Sequence, residues 1–396
     1  MSTALALRRP LLVAFALSLG AAISLGIARF SYALLLPPMR SDLAWSYLTA
    51  GAMNTANALG YFLGALAAPA ILRRFGPRRT LIGGALLTAL FTLLCGLVVD
   101  ATLLLAQRLL AGVASAWIFI AGGLLAARLA ALHAGRGGLL LGLYYGGTGF
   151  GIIASALLVP ATIAAGEAQA AAHSWQWSWL ALGALCLALT AVMRPALQGL
   201  AESAPVGPGG ARFRVADFRY GLAGYFMFGV GYIGYMTFVI ALLRNQGMTE
   251  ASQTIFYALL GLAVVASSRI WAPMLDRFRG GQSLAILNGL LALATLLPVL
   301  SQSLPAVFAS GLLFGAVFLS AVASTTALVR HNLPQHAWSA GISGFTTVFA
   351  LGQIAGPTLA GWISDGAGLE RGLVFSSAAL LLGALLASRQ RALTST

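Results

Sequence analysis

The amino-acid sequence predicts an all-α membrane protein: twelve transmembrane helices in two pseudo-symmetric six-helix bundles, with the N- and C-termini cytoplasmic. Three observations carry this expectation. The 396 residues are 59% hydrophobic and only 8% charged, with a mean hydropathy of +0.90, a balance that soluble domains do not reach. Apolar stretches of about 20 residues recur along the whole chain, the length that a hydrocarbon layer of roughly 30 Å demands. The two halves also repeat each other: Gly26-Ile27-Ala28-Arg29-Phe30-Ser31-Tyr32 matches Gly229-Val230-Gly231-Tyr232-Ile233-Gly234-Tyr235, Arg74-Phe75 matches Arg277-Phe278, and Leu109-Leu110-Ala111-Gly112 matches Leu312-Leu313-Phe314-Gly315. The offset is constant, since 229 − 26, 277 − 74 and 312 − 109 all equal 203.

The elements follow in order. Arg8 and Arg9 precede the first span, residues 11–36, which is longer than the core of a secretory signal and contains Arg29, so it reads as an uncleaved helix. Spans are then expected over residues 48–72, 80–98, 102–127, 138–161 and 175–194, and, past a long connection, over 219–243, 252–274, 282–300, 304–329, 338–362 and 370–388. The connection from Pro195 to Asp217 contains Pro205-Val206-Gly207-Pro208-Gly209-Gly210 and reads as a flexible cytoplasmic linker. The expected domains are therefore residues 1–195, a linker at 196–218, and residues 219–396.

Arginine placement sets the orientation. All 23 basic residues are arginine. With both termini inside, only Arg40, Arg244 and Arg371 fall in outer segments and three more fall within spans, so the remainder crowd the cytoplasmic loops as membrane insertion requires. The absence of lysine reads as a base-composition bias and points to a bacterium, hence to a multi-pass protein of the inner membrane. In a soluble chain the net charge of +14 would suggest nucleic acid as a partner; here the charge serves topology, and the lipid bilayer is the partner instead. Cys95 and Cys186 lie inside spans as small hydrophobes, with no metal or redox spacing.

Three arginines break the rule that hydrocarbon excludes charge. Arg29 and Arg108 each lie about 10 Å inside the outer boundary, and Arg269 about 10 Å above the inner one. A central arginine costs roughly 2.5 to 3.5 kcal/mol on insertion scales, so it is expected to face a partner or a watery cavity. Together they favour an anionic cargo. Asn54, Asn57 and Tyr61 share one helical face of the second span and are expected to line the same cavity. Tyr32, Tyr232, Tyr235 and Gln353 are further candidate contacts, with Tyr144, Tyr145 and Trp117 as supporting aromatics.

These features resemble the major facilitator superfamily over nearly the whole chain. The resemblance rests on the six-plus-six spans, on Arg73-Arg74-Phe75-Gly76-Pro77-Arg78-Arg79 between spans two and three, on Asp276-Arg277-Phe278 between spans eight and nine, and on Arg108-Leu109-Leu110-Ala111-Gly112 in span four. It implies a transporter whose two bundles rock about a midplane site, with an inner gate formed by Arg74, Arg78, Asp276 and Arg277. The first loop departs from the family pattern: Arg73 stands where an acid is usual, so the gate is expected to lean on Asp276.

Absences narrow the chemistry. The nine carboxylates and four histidines fall in loops or at helix ends, which argues against a membrane enzyme and against a proton relay within the spans. With no lysine there is no ATP-binding loop. No metal or cofactor is expected. The sequence thus points to secondary transport of a small organic anion, a carboxylate first, by a monomer; export of apolar or drug-like compounds is the alternative.

Overall fold

The computed structural model describes residues 9–133, 136–197, 213–334 and 337–393, so most of the expected linker, including Ser203 to Gly210, lies outside the described residues. Among them the chain is helical and contains no strand. In order the elements are α1 (Pro10–Ala21), a π-helical segment (Ala22–Phe30), α2 (Tyr32–Asp42), α3 (Tyr47–Cys95), α4 (Ala101–Ala131), α5 (Gly137–Ala168), α6 (Ser174–Ala196), a short 3-10 turn (Val215–Phe218), α7 (Arg219–Asn245), α8 (Glu250–Arg277), α9 (Gln282–Leu300), α10 (Leu304–Asn332), α11 (Trp338–Ala367) and α12 (Leu369–Ser388). Among the described residues ten helical stretches are long and apolar enough to cross a membrane.

Local chemistry explains where these helices start and stop. Pro10 occupies the first turn of α1, where its missing N–H costs nothing. Asp100 precedes α4 and its carboxylate accepts the Leu103 N–H at 2.9 Å, satisfying one of the donors a helix leaves open. Gly76 sits inside α3 at φ 74° and ψ 162°, so α3 is two helices joined at a bend. Gly368, at φ 92°, separates α11 from α12 in the same way.

The chain divides into two compact units: Met1–Trp45 with Ala56–Pro205 and Met248–Val265, and Ser46–Thr55 with Val206–Gly247 and Ala266–Thr396. In the first unit α5 packs against α1, α4, α6 and the π segment. Glycines permit the close approach: a Cβ on Gly26 would lie 2.5 Å from the Thr148 carbonyl oxygen and 2.6 Å from Gly151 Cα. The second unit repeats the device where α7 meets α11, since a Cβ on Gly229 would lie 2.6 Å from the Phe349 carbonyl oxygen and 3.2 Å from Gly352 Cα. Packing of this kind replaces the hydrophobic effect as the force between helices in lipid.

Within the second unit the first turns of α3 are tied down at several points. Asp365, near the end of α11, accepts the Tyr47 N–H at 2.6 Å and the Leu48 N–H at 2.8 Å, while Ser46 Oγ accepts the Thr49 N–H at 3.0 Å. Three open donors of this helix start are thereby satisfied. Deeper in, Thr55 donates to the Ile354 carbonyl and meets Thr358 at 2.7 Å. Asp365→Asn removes the charge from a helix N-terminus, where an anion is worth about 0.3–1 kcal/mol. The expected result is faster amide exchange at Tyr47 and Leu48 with unchanged exchange in α9; equal rates at all these positions would remove Asp365 from this role.

Candidate substrate site

Five of the expected site residues meet inside the first unit. Arg29 closes the π segment and is 3% exposed; Arg108, on α4, is 2% exposed. Arg29 Nε donates to Asn57 Oδ1 at 3.0 Å, and its guanidinium lies 4.8 Å from the centre of the Tyr61 ring. Asn57 in turn donates from Nδ2 to the Arg108 carbonyl at 3.1 Å, so one amide ties both arginines' segments together. Arg108 Nη1 donates to the Ala28 carbonyl at 2.5 Å, and its guanidinium lies 5.2 Å from the Tyr32 ring and 5.3 Å from the Trp179 ring. Desolvated guanidiniums over aromatic faces gain about 2 kcal/mol or more from each contact.

The winding of the first span explains how Arg29 is aimed. Leu34 N–H bonds the Ser31 carbonyl at 3.0 Å, a tighter turn where the π segment gives way to α2. The Phe30 carbonyl accepts the buried Tyr257 hydroxyl of α8 at 2.6 Å. The carbonyls on either side of Arg29, those of Ala28 and Phe30, are thus both held by side chains from other helices. Segments of π-helix are rare and are frequently found at functional sites. Tyr257 and Trp179 were missed by sequence reasoning: Tyr257 follows Phe256 and Trp179 ends the run Trp175-Gln176-Trp177-Ser178-Trp179, aromatic groupings that read as packing or interface anchors.

The other candidates separate. Asn54 lies with the second unit and donates to Thr237 Oγ1 at 2.8 Å, so the helical face shared by Asn54, Asn57 and Tyr61 serves two different environments. Tyr232 donates to Gln353 Oε1 at 2.7 Å, and Tyr235 meets Ser310 at 2.6 Å. Around them Tyr225, Phe228, Tyr232 and Phe349 form a stack, with Tyr225 and Phe349 4.8 Å apart at 17°. Tyr144 donates to the Phe119 carbonyl and Trp117 to the Gly64 carbonyl, both as packing contacts. Tyr145 is 40% exposed.

Arg269 is exposed and makes no hydrogen bond or ion pair among the described residues. The residues expected at the inner gate are likewise open: Asp276 and Arg277 are exposed, Arg74 lies 5.4 Å over the Phe75 ring, and Arg78 is half-buried. Asp276 makes no ion pair among the described residues, whereas Asp42 lies 2.6 Å from His173 Nδ1.

Helices of membrane length enclosing buried guanidiniums define a multi-pass membrane protein, and solved structures of transporters share the fold. The chain matches the crystal structure of a bacterial homologue of the human lysosomal transporter Spinster, captured inward-facing and unoccupied, with a TM-score of 0.70 at 14% identity, covering 94% of this chain and 95% of that one. It matches the human organic anion transporter MFSD10 with a TM-score of 0.64 at 18% identity over 96% and 99% of the two chains. It also matches FucP, a major facilitator superfamily transporter in the outward conformation, with a TM-score of 0.63 at 16% identity over 97% and 99%. No curated protein matches the sequence. Residues 21–388 match the family described as "Uncharacterised MFS-type transporter YbfB", and the chain belongs to this family within the major facilitator superfamily.

Proposed function

We propose that the protein is a secondary transporter that carries a small organic anion, a carboxylate, across the bacterial inner membrane by alternating access. The observation that supports this most is Arg29, a guanidinium buried to 3% exposure and aimed by Asn57, Tyr61 and a π-wound backbone. A charge inside a membrane domain marks a functional site by default. Arginine's planar fork also suits a carboxylate better than a neutral cargo. Arg29 is the substrate contact in this reading. Arg108 positions it, because its fork is spent on the Ala28 carbonyl and two aromatic rings.

The same reading takes the chain as a monomer of twelve crossings with cytoplasmic termini. Helix α3 crosses twice about Gly76 and α11 crosses as well, while residues 1–195 and 219–396 are joined by a tether at 196–218. Asp276, Arg277, Arg74 and Arg78 belong to a gate that forms in one state of the cycle.

The test is a thermal-shift screen of the purified protein against small carboxylates and against lipophilic cations. A ligand at about one hundred times its Kd stabilises by about 2.7 kcal/mol. Carboxylates are expected to raise the melting temperature by a few degrees and lipophilic cations to leave it unchanged. The reverse pattern would replace this reading with drug export.

A further inference from the structure

The bend inside α3 carries the densest charge in the molecule. Four arginines fall within the seven residues Arg73 to Arg79. Arg73, Arg74 and Arg79 are exposed and Arg78 is half-buried, and the turn is fixed by Gly76 at φ 74° and by Thr80 Oγ1 donating to the Gly76 carbonyl at 2.7 Å. At its tip Phe75 is 43% exposed beneath the Arg74 guanidinium. Arg9, Arg136 and Arg194 are also exposed at helix ends that the alternation of helices places at the same end of the first unit.

Nothing acidic balances this face among the described residues of that unit. Its carboxylates, Asp42, Asp100, Glu167 and Glu250, belong to the opposite helix ends. Asp42 is engaged there by His173 and Trp175, and Asp100 by the α4 N-terminus. The second unit differs at the matching place. By the offset of 203, Arg73 corresponds to Asp276 and Phe75 to Phe278, and Phe278 is less exposed, with its carbonyl bonded by His331. One half has an acid where the other has a fourth arginine.

We propose that the Arg73–Arg79 bend is a docking surface for the phosphate headgroups of anionic phospholipids, with Phe75 as its apolar anchor. Guanidinium forks pair with phosphate oxygens in two places at once. A loop joining two membrane-length helices lies at headgroup depth, where basic clusters collect anionic lipid. The exposed ring between the arginines is what separates a lipid from free phosphate as the occupant, since only a lipid offers it an apolar surrounding.

The experiment reconstitutes the full chain in vesicles of one part phosphatidylglycerol to four parts phosphatidylcholine, extracts it in mild detergent, and measures the lipid that copurifies. The parent protein is expected to enrich phosphatidylglycerol severalfold over its share, less so as ionic strength rises. Arg73→Asp, which installs the residue found at the matching place in the second half, is expected to lower the enrichment about twofold. Arg73→Gln/Arg74→Gln/Arg79→Gln should abolish it, and Phe75→Ala should lower it with the charge intact. Arg244→Gln, at the far end of α7, should change nothing. If the parent shows no enrichment, or if Arg73→Asp and the triple variant elute and melt as the parent does and still retain phosphatidylglycerol fully, the arginines serve insertion alone and the proposal is overturned. Displacement of the lipid by millimolar inorganic phosphate, with Phe75→Ala equal to the parent, would overturn it in favour of a free phosphate.

Discussion

Arg29→Gln is expected to weaken carboxylate binding, the binding proposed above, by tenfold or more and to reduce transport in proportion, with normal insertion in the membrane. Glutamine keeps a donor for the Asn57 carbonyl oxygen, which now receives the Arg29 Nε bond at 3.0 Å, but it loses the charge. Hydrogen bonds to charged groups contribute about 1.5–3 kcal/mol, which is where the tenfold figure arises. Arg29→Lys is expected to recover only part of the loss, because an ammonium has neither the fork nor the flat face that covers the Tyr61 ring at 4.8 Å. Isothermal titration with the best carboxylate from the thermal screen reads both effects, and Arg40→Gln, at the end of α2, is the control. Equal affinity in Arg29→Gln and parent protein would sink the anion site.

Gly112→Ala is expected to lower the melting temperature by several degrees and to impair binding, although it adds a single methyl group. Its Cβ would meet the Asn57 carbonyl oxygen directly and lie 2.9 Å from the Tyr61 nitrogen. Both obstacles are backbone, so α3 and α4 have to part; overpacking of this kind costs about 1–3 kcal/mol. The affected residues are the two that hold Arg29, so the loss of binding should exceed what instability explains. Gly83→Ala is the contrast. It lies in the same helix α3 with nothing within 4 Å of its added Cβ, and alanine there should stabilise by about 0.4–1 kcal/mol. If the two substitutions behave alike in the melting assay, the close crossing is not what limits stability.

The helical stretches were legible in the sequence because length and hydropathy are what a bilayer selects. The expected span at 282–300 coincides with α9, and the span at 175–194 lies within α6. Asn57 and Tyr61 share a face as i and i+4, and both do meet Arg29. What could not be read was rotation. A membrane helix is apolar towards lipid and towards protein alike, so hydropathy fixes the depth of Arg269 without saying which way it points, and the structure leaves it exposed. Asn54 shows the same limit: three residues from Asn57, it belongs to the second unit and bonds Thr237 within it. The π segment left no trace in the residue pattern, and the contacts that surround it, Tyr257 to Phe30 and Arg108 to Ala28, join residues 227 and 80 positions apart.

The two halves differ at that segment in winding and not in length. The constant offset of 203 from Gly26 to Gly315 means that neither half has gained or lost a residue relative to the other across these spans. Yet residues 22–30 are wound as a π-helix, and residues 225–233, which match them in α7, are wound as an ordinary α-helix. The halves agree in number and disagree in pitch. An uncommon winding that no inserted residue requires has to be maintained from outside, and here the clasps are the Arg108 guanidinium and the Tyr257 hydroxyl. In the register of the other half their counterparts are Gly311 and Asn54, neither of which offers the same donor. The Ile233 carbonyl, which matches that of Phe30, instead accepts the Thr237 hydroxyl from its own helix at 2.6 Å. One half thus winds its first helix differently from the other through side chains on neighbouring helices, with the length of that helix untouched.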